Sequence, residues 1–307
     1  MMGIMRNLLF DRHGDVRGGW RVAAFMCIVL FFVTGAVYPL RAAGIESPLT
    51  ERSLLVVASL SATWMLTRYV NRKPLRAVGL WVHDGTLREL GAGCLLGFLM
   101  MAGIYAVEVA LGYVTPSSSG LGPVGALAVA GASILWFGVA ALAEELLFRG
   151  YAFQTLIQVV TFLPATLLMA VVFALAHMQN PHFTAFSVCN LVLSGMLFSF
   201  AYMKTRSLWL PFGLHFAWNF SQTTLFGLPT SGMREPGREL FFAAQSGPAW
   251  IGGGEYGPEG GVLATIALVT CLWYILKAGF LKAPAGIVTL DSIEDLVPPD
   301  GEEGRAR

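Results

Sequence analysis

Charge is scarce in this chain. Asp, Glu, Lys and Arg make up 13% of its 307 residues, about half the share of an ordinary soluble domain. The formal net charge of +1 leaves no electrostatic footprint for nucleic acid or for an acidic partner. Cysteine is also rare. Cys27, Cys94, Cys189 and Cys271 lie far apart inside apolar stretches and read as small core residues, with neither a disulfide framework nor a cysteine zinc cluster. The metalloprotease pattern H-E-x-x-H, a Walker loop, a dinucleotide fingerprint and a serine–histidine nucleophile motif are all missing. No cleavable signal peptide is expected. The first apolar run begins near Val22, after a polar stretch, and is long enough to span a bilayer.

Hydrophobic residues account for 55% of the sequence, and they come in runs. A hydrocarbon core needs roughly 20 consecutive apolar residues per helical span. Eight candidates follow: Val22–Leu40, Ser53–Thr67, Gly91–Tyr113, Val124–Phe148, Pro164–His177, Phe183–Met203, Leu208–Phe226 and Val262–Leu281. Between the fourth and fifth, Tyr151–Phe162 mixes Gln154, Thr155, Gln158 and Thr161 with apolar residues, as an interfacial helix would. The fold class is therefore all-α, a polytopic transmembrane helix bundle of about eight spans.

Lys and Arg orient the bundle. With both ends on one side, that side holds 16 of the 20 basic residues, and the other holds only Arg41, Arg52, Arg234 and Arg238. By the positive-inside rule both termini are cytoplasmic, and the Gly- and Pro-rich loop 227–261 is outside. Residues 1–21 form a cytoplasmic lead-in and 22–282 the bundle, with a protease-like core at about 125–220. The acidic stretch 283–307, with Pro298–Pro299 in it, reads as a disordered cytoplasmic tail. A multi-pass protein of a bacterial-type plasma membrane is the expected setting, with the lipid bilayer as its first partner.

A charge at the centre of a span costs on the order of 2.5–3.5 kcal/mol by insertion scales, so polar residues inside the runs carry the functional information. They are Glu108, Glu144, Glu145, Arg149, His177, Asn190, His215 and Asn219. Adjacent helical residues point about 100° apart, so Glu144 and Glu145 cannot share one direction. Glu145 and Arg149 are four apart with the acid first, the favourable order for an ion pair. Glu144 is then left to face the bundle. Two acids with an arginine are also common at helix ends, where they have only a structural role. His215 and Asn219 share one face of an apolar, aromatic helix. His177 closes Phe173-Ala174-Leu175-Ala176-His177, just before the helix-breaking Asn180-Pro181.

Amide hydrolysis needs a base or metal to activate water and donors for the oxyanion. Glu144 suits the base, and Asn219 is a donor but a poor zinc ligand. Two His with one carboxylate are a recognised zinc set, here His177, His215 and Glu144; the cofactor would then be Zn2+, while a metal-free mechanism stays equally open. Because His177 sits 13 residues beyond Pro164, the constellation converges only if the fifth helix starts deep, tilts or is kinked.

E-E-x-x-x-R (Glu144, Glu145, Arg149), F-x-x-x-H (Phe173, His177) and H-x-x-x-N (His215, Asn219) resemble the three motifs of the CPBP family of CAAX-type prenyl endopeptidases and bacteriocin-processing or immunity (ABI) membrane proteins. The stretch Lys204–Pro211 is also similar to the family's lead-in, and Gly257–Gly260 more weakly. The resemblance is strongest from about Gly125 to Phe220. It implies an eight-helix membrane endopeptidase, glutamate- or metal-dependent, with its site open to the cytoplasm. Glu144 would activate water, and His177, His215 and Asn219 would complete the site. The substrate would be a peptide or protein. Two alternatives stand beside it: a non-catalytic immunity or partner-binding protein on the same scaffold, and a transporter whose polar path includes Glu108.

Overall fold

The computed structural model describes residues 9–10, 14–283 and 290. The expected acidic tail lies almost wholly outside the described residues. Helices dominate, as the apolar runs require. In chain order they are α1 (Gly18–Ala42), α2 (Pro48–Met65), α3 (Thr86–Ala110), α4 (Pro123–Arg149), α5 (Tyr151–Val160), α6 (Phe162–Ala176), α7 (Ala185–Thr205), α8 (Trp209–Phe220), α9 (Ala249–Gly252) and α10 (Val262–Lys277). Each of the eight candidate spans coincides with one of these long or medium helices. Five helical stretches are long and apolar enough to cross a membrane: α1, α2 with its π-helical extension to Asn71, α3, α4 continued by α5, and α7. Helices α6 and α10 are apolar but shorter, and α8 is prolonged by a π-helical turn, Ser221–Leu225. Their outer surfaces carry Leu30, Phe31, Leu127, Leu135 and Trp273 well exposed, the pattern of a bundle whose solvent is lipid.

The bundle has two distinct ends. At the first, Trp209 Nε1 donates to Trp81 O at 2.7 Å, Leu208 N to Gly79 O at 3.2 Å and Lys204 Nζ to Leu276 O at 3.0 Å. At the second, β1 (Val114–Ser118) pairs antiparallel with β2 (Phe241–Gln245), with Val114 opposite Gln245 and Ser118 opposite Phe241. The 227–261 loop is thus tied to the α3–α4 connection; we call this the loop end.

Helix α5 is more buried than the interfacial reading expects. Its first half, Tyr151–Thr155, is buried, with Tyr151 stacked on Phe25 of α1 at 5.7 Å and Arg21 donating to Gln158 at 2.8 Å. It continues the descent that α4 begins, running beside α1 toward the N-terminal end of that helix. Gly150 makes the break, since a Cβ there would collide with Leu146 O. Arg149 is consequently no loop residue. It is 1% exposed inside the bundle, and it leaves the count of cytoplasmic-loop charges. The cysteine reading also needs correction: Cys271 is buried and Cys94 partly so, but Cys27 and Cys189 are exposed.

Helix α8 is held by backbone-to-backbone approach to α3. A Cβ on Gly213 would lie 3.0 Å from Cys94 N, one on Gly93 2.9 Å from Leu214 N, and one on Gly97 3.0 Å from Trp218 N. Small residues are what let helices approach this closely in a membrane. On the other side, Gly195 of α7 meets Ala170 of α6, where a Cβ would lie 2.8 Å from the Ala170 Cα.

Candidate active site

Helices α4, α6 and α8 bring Glu144, His177, His215 and Asn219 into the wall of one cavity of about 310 Å³. The depth problem of the fifth span resolves through α5. At about 1.5 Å per residue, the ten residues of α5 extend the chain roughly 15 Å past Arg149, and the 15 residues of α6 bring it back roughly 22 Å. His177, the C-cap of α6, therefore returns to the level of Glu144.

The two glutamates divide as their 100° offset requires. Glu145 is fully buried, and its Oε1 accepts from Arg149 Nη1 at 3.2 Å and from His215 Nδ1 at 2.8 Å. The bond to His215 has no signal in the sequence, where only the i,i+4 partner was visible. Arg149 also donates to Gly195 O at 3.3 Å, and its guanidinium lies over Phe173 and Phe198, 4.9 and 5.0 Å from their ring centroids. The cation is thus desolvated against aromatic faces, where such contacts are strongest. Phe198 stacks on the His215 ring at 4.9 Å. The His215 imidazole is therefore clamped by a hydrogen bond on one edge and a ring on one face.

Glu144 points into the cavity with its side chain 22% exposed. Its Oε2 is 3.6 Å from His215 Nε2, and its Oε1 is 3.9 Å from Arg52 Nη1. Neither is a hydrogen bond, and among the described residues Oε2 has no hydrogen-bond partner. His177 Nδ1 lies 2.8 Å from Phe173 O. A carbonyl only accepts, so Nδ1 carries the proton and Nε2 is left for the cavity. Asn219 sits one turn beyond His215 on the same wall, just before the π-helical turn, a feature frequent at functional sites.

Two further contributors escaped sequence reasoning. Arg52 had no signal beyond being a lone cation at the start of a span; it lies over Trp136 at 5.2 Å and reaches the cavity. Glu259, 4% exposed, accepts from Trp218 Nε1 at 3.2 Å, Gln222 Nε2 at 2.7 Å and Ser231 N at 3.4 Å. Burial pushes its carboxyl up from the ordinary range, against these hydrogen bonds. Asn190 donates to Glu259 O and Gly261 O, both at 2.8 Å. That pins the loop-end rim and gives Asn190 a structural role. Glu108 does not join the cavity; it is buried beside Gly252 of α9.

A zinc ion needs nitrogens at about 2.0–2.1 Å from one point with a carboxylate at similar range. Among the described residues no three His, Cys, Asp or Glu side chains are grouped to hold a metal. His215 Nδ1 donates to Glu145 and its Nε2 lies 3.6 Å from Glu144 Oε2, so these two atoms face each other across the cavity wall. As the side chains stand, His177, His215 and Glu144 are not drawn together as a group of three.

Residues 126–221 match the family model of the type II CAAX prenyl endopeptidases, Rce1-like. All three motifs fall inside that segment, which nearly coincides with the stretch from Gly125 to Phe220 that carries the resemblance. No curated protein and no solved structure matches the chain. One implication of the Rce1-like resemblance conflicts with the charge count. The cavity wall includes Ser231, Met233, Glu235 and Glu259, from the loop that the basic residues place outside. A site open to the cytoplasm and an outer 227–261 loop cannot both hold.

Proposed function

We propose that the protein is a membrane endopeptidase that hydrolyses a peptide bond with water activated by Glu144. The observation that carries this reading is the pairing of roles within one helix turn. Glu145 is wholly buried and bonded to Arg149 and His215, while Glu144 faces the cavity beside two imidazoles and a carboxamide. Glu144 takes a proton from water as the water oxygen bonds to the scissile carbonyl carbon. His177 Nε2 accepts the water's second hydrogen and so orients it. Asn219 Nδ2 donates to the oxyanion. The carbon–nitrogen bond then breaks, and the proton held by Glu144 goes to the leaving amine. Glu145 and Arg149 are positioning residues; they hold the His215 ring against Phe198 and across from Glu144.

Each of these steps is assigned to a side chain of the protein. The substrate is a peptide or protein segment, and the Rce1-like match in the catalytic core supports this class. The test is the purified protein in lipid vesicles against a panel of fluorogenic peptides, wild type beside Glu144→Gln. Cleavage by the wild type that Glu144→Gln removes supports the reading, and equal cleavage by both rules it out.

A further inference from the structure

The cavity opens toward one end of the bundle, and the distribution of charge says which face of the membrane that end occupies. Chain order alternates between the ends. The first end holds the connections after α2, α5, α7 and α10, and the loop end holds those after α1, α3, α6 and α8. Independent contacts hold each end together: Trp209 to Trp81 at the first, and β1 with β2 at the other. Asn180, beyond α6, also donates to Ser231 O at 2.9 Å across the loop end.

The cavity belongs to the loop end. Its wall includes Arg52, near the start of α2, with Asn180, Ser231, Met233 and Glu235. No residue of the first-end connections, 72–85, 206–208 or 278–283, lines it. His177 caps the loop-end terminus of α6. Glu144 is reached from that side because α4 stops at Arg149 inside the bundle and α5 completes the passage. Helix α5, with Tyr151, Phe153 and Thr155 wholly buried, stands between the site and the first end.

Basic residues divide the other way. Among the described residues, the first end has Arg17, Arg21, Arg68, Arg72, Lys73, Arg76, Arg88, Lys204, Arg206, Lys277 and Lys282, eleven in all. The loop end has four: Arg41, Arg52, Arg234 and Arg238. Short connections rich in Lys and Arg stay cytoplasmic, which puts the loop end on the opposite face. The bias survives the removal of Arg149 from the count.

We propose that the catalytic cavity opens to the non-cytoplasmic face of the membrane and takes a polypeptide segment exposed there, not a cytoplasmic protein. This rests on the endopeptidase reading above, and it reverses the access direction that the family resemblance implies. The 227–261 loop then acts as the outer rim of the site, held by Glu259 and Asn190. Among the described residues, Arg52 is the one Lys or Arg in the cavity wall, and it approaches Glu144 at 3.9 Å.

The test separates access from catalysis. In a background with Cys27, Cys94, Cys189 and Cys271 replaced by Ala, Met233→Cys reports on the cavity mouth, and Asp84→Cys on the exposed connection at the first end. A membrane-impermeant maleimide is applied to intact expressing cells, then to opened ones. Met233→Cys is expected to label in intact cells and Asp84→Cys only after opening; the reverse pattern overturns the proposal whether or not the protein is a peptidase. In parallel, the fluorogenic peptide panel is supplied outside sealed vesicles that keep the cellular orientation. Wild-type cleavage there, abolished by Glu144→Gln, supports the proposal. Cleavage that begins only once the vesicles are opened overturns it while leaving the endopeptidase reading intact. Absence of cleavage in both states, with Met233→Cys labelled as expected, overturns the endopeptidase reading instead, and with it the substrate assignment.

Discussion

Replacing each of the adjacent glutamates by glutamine should separate chemistry from architecture. Glu144→Gln leaves a side chain of the same shape at the cavity wall. Its nearest side-chain nitrogens are those of Arg52 at 3.9 Å and His215 at 3.6 Å. The Arg52 and Glu144 side chains are 29% and 22% exposed, and the longer ion pair is worth about 1 kcal/mol or less. Stability should therefore change by about 1 kcal/mol at most, while loss of the base should lower turnover by roughly 100- to 10,000-fold. Glu145→Gln keeps an acceptor oxygen but removes the negative charge that Arg149 and His215 share at 3.2 and 2.8 Å. Arg149, 1% exposed, is then a buried cation with no counter-charge in contact, and breaking such a pair costs about 3–5 kcal/mol. The assay is unfolding in mild detergent beside the cleavage rate of the fraction that remains folded. If Glu145→Gln unfolds like wild type and is inactive, while Glu144→Gln retains turnover, the division of roles is wrong.

Other expectations follow from the same geometry. Asn219→Ala should fold normally and lose about 100- to 1,000-fold in kcat, the usual cost of one oxyanion donor; a change confined to KM would contradict its role. Gly213→Val should impair folding, because a side chain there meets the α3 backbone at Leu90 and Cys94; normal yield and thermal stability would show that this contact yields easily. Incubation of the purified protein with a strong zinc chelator should leave cleavage unchanged, since the proposed steps belong to Glu144, His177 and Asn219; full inhibition reversed by added zinc would refute the metal-free reaction.

The helices and four of the polar residues that line the cavity, Glu144, His177, His215 and Asn219, were legible in the sequence, because both are local properties. Apolar runs near bilayer length specify helices whatever their neighbours, and a carboxylate or imidazole inside such a run stands out by its cost. The i,i+4 pairing of Glu145 with Arg149 and the shared face of His215 and Asn219 likewise need only helical geometry. What the sequence could not express was how far each helix reaches and which partners lie across the bundle. At the break at Gly150, Arg149 is a buried cation against Phe173 and Phe198 and not a loop residue, and α5 packs its first half into the bundle through Tyr151 and Phe25. The Glu145–His215 bond joins residues 70 apart. Arg52 became part of the site only because α2 packs beside α4. Sidedness needed both levels: the distribution of Lys and Arg in the sequence orients the bundle, but only the folded chain decides at which end the cavity opens.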